Sequence, residues 1–531
     1  MFKHPKRFLV PSVITAAVAS AALVACGGSD DSSATAELAK YIPADAPVYI
    51  EGTVQPEGDV ATNVDSITEK LTGKTLGDTI NEALASSDNS DIDFKADVEP
   101  WLGESAGLFV HLDLGGISAS SVTGDAATAA VTDSEAFGLV AQTTDVDAAN
   151  AFIEKVSKED GATDGEYEGF SYKISKDDKS AMGIVDDNLV ASSDEAVFKS
   201  MVDASKGDSL DGTDAFSSIV DKVDDDSLLN VFVANEAVGS TGAEAGLDTA
   251  ALYKTLGMDF AGTGTILSLV PEENEISIRG VSDAGSEYES GDPSELIKSF
   301  PANTVFATGS GDVGANATKV IEAVNKDGIE GMIKPGELDK MLDQMSQQGM
   351  DVRSLIENLE TVGMFVSGDS IQSLGGALVA TSSDIKPIEN SLKAFSSLMA
   401  LADDADVRPL GGGMTGFRVT TDQLPGRPVV IAVGKDRLVV AIGMPAARQA
   451  LKQNGTPLSA SPAFQAADES IPGEGIDMFG DPTALGDLLS GIAGGDDDAA
   501  KAIEILGKFE YMAGGSGEED NSMEFNLGLK D

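Results

Sequence analysis

The sequence predicts an α+β protein of two tandem homologous halves, each a mainly antiparallel sheet with packed helices. Three observations lead there. A set of landmarks occurs twice in one order, helical and strand-like periods mix within each half, and several connections are too short for helical crossovers.

The repeat begins with Pro43-Ala44-Asp45 ahead of Val48-Tyr49-Ile50, which returns as Pro301-Ala302-Asn303 ahead of Val305-Phe306-Ala307. Gly107-Leu108-Phe109-Val110 returns as Gly363-Met364-Phe365-Val366, and Leu139-Val140-Ala141 with Asp145 as Leu378-Val379-Ala380 with Asp384. Further along, Gly169-Phe170 pairs with Gly416-Phe417, Asp187-Asn188-Leu189-Val190 with Asp436-Arg437-Leu438-Val439, Asp214-Ala215-Phe216 with Pro462-Ala463-Phe464, and Leu256-Gly257 with Leu506-Gly507. Chance does not keep so many landmarks in unbroken order, so the halves are read as 39–290 and 291–531.

Within the first half, Val64, Ile67 and Leu71 are spaced as one face of a helix. Asp145 stands as a cap before a second helical face of Ala149, Phe152, Ile153 and Val156. Its counterpart carries Ile388, Leu392 and Phe395, with Pro387 acceptable in the first turn. Tight turns at Lys435-Asp436 and at 271–274 separate strand-like runs. Each half ends in alternation: Ile276 and Ile278 in the first, then Met523, Phe525, Leu527 and Leu529 in the second. That pattern predicts strands with the apolar set buried and the intervening set wet.

A chain of 531 residues exceeds one ordinary core, and 42% hydrophobic residues suffice for packed ones. Aromatics make up only 5% against 58 glycines, so the cores should be aliphatic and the turns many. With 35 Lys and Arg against 89 Asp and Glu, the formal charge is −54, which excludes broad binding to nucleic acid and disfavours lying flat on anionic lipid. The single Cys, Cys26, excludes an intramolecular disulfide and a cysteine metal cage.

Lys3, Lys6 and Arg7 precede a mostly apolar run over 8–24, which ends in Leu23-Val24-Ala25-Cys26-Gly27. The basic, apolar, small-residue order is that of a secretory signal. The last residues resemble the lipobox of bacterial lipoproteins. The resemblance implies a signal peptide over 1–25, cleavage before Cys26, and a diacylglycerol on its thiol as the lipidation site. Residues 26–38 then read as a flexible polar tether, from the run GGSDDSSATA at 27–36. Removing 1–25 takes away three basic residues and no acid, leaving 32 against 89 and a formal −57.

Other residues carry a wider likeness: Ile42-Pro43-Ala44-Asp45-Ala46, the run from Val48 to Gly58 (VYIEGTVQPEG), and Val98-Glu99-Pro100-Trp101-Leu102-Gly103. In these the chain resembles domain of unknown function family 3352, a family of exported bacterial proteins. The resemblance implies fold and export and brings no activity with it. The second half departs from the pattern, with no Trp at the position facing Trp101.

Candidate chemistry is sparse. Gly309-Ser310-Gly311-Asp312-Val313-Gly314 matches a dinucleotide loop between a strand and a helix, yet 327–336 does not read as the next strand, so a Gly-rich turn is the better reading. His111 is the sole His beyond the signal and lacks a second His for zinc. Three acid clusters (Asp88, Asp91 and Asp93; 224–226; 496–498) lack the spacing of a calcium loop and read as solvated loops. Trp101 reads as a packing anchor at a turn. Leu338, Met341, Leu342 and Met345, with Met332 and Met350 nearby, form a helical stripe that reads first as core and second as an apolar groove.

The expectation is therefore a non-enzymatic lipid-anchored envelope protein on the extracytoplasmic side, with neither cofactor nor metal, acting as a binding or scaffold module. A cleft between the repeats would be the place for a small-molecule, lipid or protein ligand. The alternatives are a solute-binding lipoprotein of a transporter, which requires parallel sheets in each lobe, and a carrier of an apolar ligand.

Overall fold

The computed structural model describes residues 37–56, 58–74, 94–111, 136–239 and 253–530, except 177–178, 225, 256, 287, 289–290, 330–331, 371, 400–405, 412, 421–426, 453–454, 474, 492–496 and 518–520. The chain divides into two compact units, Met1–Ala250 with Asp259–Ala284, and Ala251–Met258 with Gly285–Asp531.

The first unit holds β1 (Val48–Thr53), β2 (Leu102–His111), β3 (Ala136–Thr143), β4 (Thr163–Tyr167), β5 (Phe170–Ile174), β6 (Ala181–Val185), β7 (Asn188–Ser192), β8 (Leu229–Ala234), β9 (Gly264–Pro271) and β10 (Glu275–Ser282). They form one antiparallel sheet in the order β10-β9-β8-β1-β2-β3-β7-β6-β5-β4. Helix α1 (Gly58–Thr72) follows β1, α2 (Val146–Asp160) follows β3, and α3 (Glu195–Ala204) follows β7.

Alternation sorts the side chains onto two faces. Tyr49, Phe109, Val140, Val190, Phe232 and Ile266 meet Phe198, Met201 and Val202 of α3. On the opposite face Leu108, Val110, Leu139 and Ala141 meet Phe152, Ile153 and Val156 of α2, with Trp101 beside them. Asp145 caps α2 as its position predicts, its carboxylate accepting from Ala148 N at 3.0 Å, and Gly161 closes the helix in the left-handed region.

The second unit holds β11 (Thr304–Ser310), β12 (Leu359–Ser367), β13 (Gly375–Ser382), β14 (Asp406–Pro409), β15 (Thr415–Thr420), β16 (Val429–Val433), β17 (Arg437–Ile442), β18 (Ile476–Gly480), β19 (Phe509–Ser516) and β20 (Ser522–Leu529). Their order is β20-β19-β18-β11-β12-β13-β17-β16-β15-β14, again all antiparallel. It repeats the first unit's order strand for strand. Helices α4 (Val313–Asp327), α5 (Glu337–Gln347), α6 (Lys386–Met399) and α7 (Met444–Lys452) complete the parts needed below. Met364 and Leu378, cross-strand neighbours on β12 and β13, remain 40% and 44% exposed in the half that lacks a counterpart to Trp101.

The closing strands correct one expectation. In β10 burial falls at Ser277 and Gly280, three apart, and Ile276 and Ile278 are half-buried. β20 does alternate over most of its length, but the buried positions are Glu524, Asn526 and Gly528, with Leu529 alone of the predicted apolar set buried beside them. Met523 is exposed and Phe525 and Leu527 are half-buried. Asn526 is held inside because its Nδ2 donates to Ser470 O at 2.7 Å, so a hydrogen bond offsets the cost of burial.

Glycines seat the rings. Gly138 lies opposite Phe109, Gly165 opposite Tyr172 and Gly528 opposite Tyr511 in the ladders. A Cβ on any of them would fall under 3.0 Å from the ring across the strand.

Candidate functional site

Cys26 and the predicted signal lie outside the described residues, as do Asp88, Asp91 and Asp93. Of the other clusters, Asp224 is tied to Arg279, which also reaches Glu272 Oε1 at 2.6 Å, while nothing is described of the side chains at 496–498. Among the described residues no cluster of His, Cys, Asp and Glu could hold a metal ion.

The Gly-rich segment runs from the end of β11 into α4. A Cβ on Gly311 would fall under 3.0 Å from the backbone of Gly291, and one on Gly314 equally close to the carbonyls of Leu359 and Ile356. The close approach these glycines permit is taken by the protein's own chain.

His111 ends β2, its ring edge-on to Phe109 at 5.7 Å and its buried Nδ1 without a partner among the described residues. Trp101 is buried, packs tilted against Phe152 with ring centroids 5.3 Å apart, and donates from Nε1 to Asp97 O at 2.7 Å. The methionine stripe is not core: in α5 only Leu342 is buried, and Met341 is 52% and Met332 64% exposed.

The structure brings together a different group. On β1, Tyr49 and Glu51 share the face packed by α3, and both are 2% exposed. Tyr49 Oη donates to Glu51 Oε2 at 2.6 Å, and Glu51 Oε1 has no partner among the described residues. Gly107, opposite Glu51 on β2, makes room for the tyrosine: a Cβ there would sit 2.7 Å from Tyr49 Oη.

The polar row continues across the strands. Glu51 faces Asn230 on β8, and Asn230 faces Ser268 on β9. Ser268 Oγ donates to Asn230 Oδ1 at 2.6 Å, while Asn230 Nδ2 donates to Ser227 Oγ at 2.7 Å. On β2, Ser105 N donates to Gln142 Oε1 at 3.1 Å, and the buried Ser105 Oγ has no partner among the described residues.

Burial pushes the Glu51 carboxyl up to about 8, with the charge of Glu37 acting in the same direction and the Tyr49 hydrogen bond opposing it. Burial, then the neighbouring Glu51, raises the Tyr49 hydroxyl. In the second unit Asp477, half-buried on β18, is raised to about 6 by burial and by Asp292. The arrangement around Glu51 can hold a proton in a place that solutes do not reach. Sequence reasoning assigned Glu51 no role. The available signal was its parity: it alternates with Tyr49 and Thr53, on the face opposite Val48 and Ile50.

Comparison with known proteins adds the family. The model described as protein of unknown function DUF3352 matches residues 9–476. The chain belongs to the DUF3352 family. Membership accords with the likeness read from the residues around Val48 and Trp101, and the description assigns DUF3352 proteins no activity. No curated protein matches this DUF3352 chain. Among solved structures it is similar to crystal forms I and III of TP0453. The identities are 13% and 12% and the TM-scores 0.25 and 0.26, over 49% and 48% of this chain and 82% of each of those. Likeness at that level carries no argument about role.

Proposed function

We propose that the protein is a lipid-anchored envelope protein, tied to the membrane through Cys26 and working outside the cytoplasm as a non-enzymatic binding or scaffold module of two duplicated halves. The observation that carries the reading is the chain's single thiol at the end of a basic and apolar export signal. The repeated strand order supports duplication, since ten strands in one order twice over is what a copied gene segment would leave. The sealing of Glu51 from solutes favours a structural use for the most perturbed carboxyl.

Labelling cells with radioactive fatty acid tests the anchor. Wild-type protein should carry label and sediment with membranes, and Cys26→Ala should lose both properties. A mature N-terminus beyond residue 26, or label retained in the variant, overturns the reading.

A second reading, a carrier of an apolar ligand, is favoured by the exposure of Met332 and Met341. Native mass spectrometry of protein purified from its own envelope separates the two, because a carrier retains a lipid. The transporter-lobe reading is weakened by the antiparallel sheets of both units.

A further inference from the structure

Equivalent places in the two sheets are filled differently. In the first unit Tyr172 of β5 faces Gly183 of β6, which faces Val190 of β7, which faces Val140 of β3. In the second, Gly416 of β15 faces Ala432, then Val439, then Val379. Gly416 therefore stands where Tyr172 stands, which corrects the sequence pairing of Gly416-Phe417 with Gly169-Phe170: Gly169 precedes β5, whereas Gly416 lies within β15. The segments that follow have equal length: five, eight and nine residues beyond Val190 lie Glu195, Phe198 and Lys199, and beyond Val439 lie Met444, Ala447 and Arg448.

The first unit closes this place. The Tyr172 ring stacks on Phe198 at 4.5 Å, its hydroxyl donates to Glu195 at 2.8 Å, and Glu195 pairs with Lys199 at 2.8 Å. The nearby hollow between α2 and β4–β6 has its cation neutralised, since Lys173 lies 2.7 Å from both Glu154 and Asp164.

In the second unit the two rings and the carboxylate are replaced by Gly416, Ala447 and Met444, and a hollow of about 570 Å³ is lined by Met444 and by Arg418 and Arg448, close in sequence to Gly416 and Ala447. Leu410, Met414 and Met444 supply an apolar wall, and Arg418 and Arg448 line the same space. Neither arginine makes an ion pair among the described residues, although the chain carries 89 acidic residues against 35 basic ones. We propose that this hollow binds a small organic anion, its carboxylate or phosphate held by Arg418 and Arg448 and its apolar body laid against Met414, Met444 and Leu410. Guanidinium groups match the planar or tetrahedral oxygens of such anions, and the volume lies in the usual range of small-molecule sites. The protein's long-range field repels anions, so recognition has to be local, at distances where contact overcomes a screened field. The hollow's lining follows from the shared strand order and the equal segment lengths, and binding there is independent of the membrane anchor.

Calorimetric titration of the full chain with butyl phosphate, inorganic phosphate and butanol tests it. Butyl phosphate should bind at least about tenfold more tightly than either of the others. Arg418→Gln and Arg448→Gln should each weaken it by about tenfold or more, as expected for a lost charge-assisted bond. Met444→Glu, which restores a carboxylate one turn from Arg448, should abolish binding. If that variant fails to fold, the two glutamine variants decide, because both arginines reach solvent. Absence of binding, butanol or phosphate binding as tightly as butyl phosphate, or unchanged affinity in both glutamine variants overturns the proposal.

Discussion

Glu51 offers a measurable consequence of a buried acid. Its carboxyl is held neutral up to about 8, against an ordinary value of 4.5 in the unfolded chain. Between those values the unfolded chain has released a proton that the folded chain retains, so each pH unit removes about 1.4 kcal/mol of stability. Because the folded value is raised, the contribution is fully present below about pH 4.5 and is lost as pH rises through about 8. Across the whole window the loss reaches about 5 kcal/mol, large beside the 5–15 kcal/mol (roughly) that separates folded from unfolded domains. Glu51→Gln keeps an acceptor for Tyr49 Oη and has no proton to release. The variant should match wild type near pH 5 and exceed it by several kcal/mol at pH 8. Urea unfolding followed by the fluorescence of Trp101, the only Trp and a buried member of the same unit, reads this directly. The difference between the proteins cancels the common effect of the net charge. A difference that stays constant from pH 5 to 8 would refute the assignment of a neutral buried acid.

Asp477→Asn should stabilise the second unit above about pH 6 by about 1–2 kcal/mol, after allowance for its partial exposure, with no gain below pH 4; calorimetry at two pH values checks it. Gly311→Ala should destabilise by about 1–3 kcal/mol in the same measurement, since the new Cβ meets the Gly291 backbone; a neutral result would mean the loop has room to spare. Trp101→Phe should cost less than Trp101→Ala, which should lose about 3–5 kcal/mol in urea unfolding followed by circular dichroism.

Local signals were legible and environmental ones were not. The cap at Asp145 and the helical face of α2 follow from side chains and spacing that act within one turn, so the sequence contains them whole. The mainly antiparallel pairing was likewise readable from short turns. Which side of β20 faces inward depends on partners far along the chain, such as Ser470 for Asn526, and hydrophobicity alone points the wrong way there. The stripe in α5 shows the converse: helical spacing fixes which residues share a face and leaves open whether anything covers it. Glu51 escaped notice because an isolated acid in an apolar run looks like an edge residue until β8 and β2 are seen on either side of it.

The rings laid over Gly138, Gly165 and Gly528 bear on how such a chain can change over time. Each aromatic and the hydrogen atom beneath it fill one volume jointly, so enlarging the glycine alone forces a clash and trimming the ring alone opens a void. A reciprocal exchange at both sites avoids both penalties. Substitutions in descendants of this sequence should accordingly arrive in couples at Phe109 with Gly138, Tyr172 with Gly165, and Tyr511 with Gly528, and seldom singly.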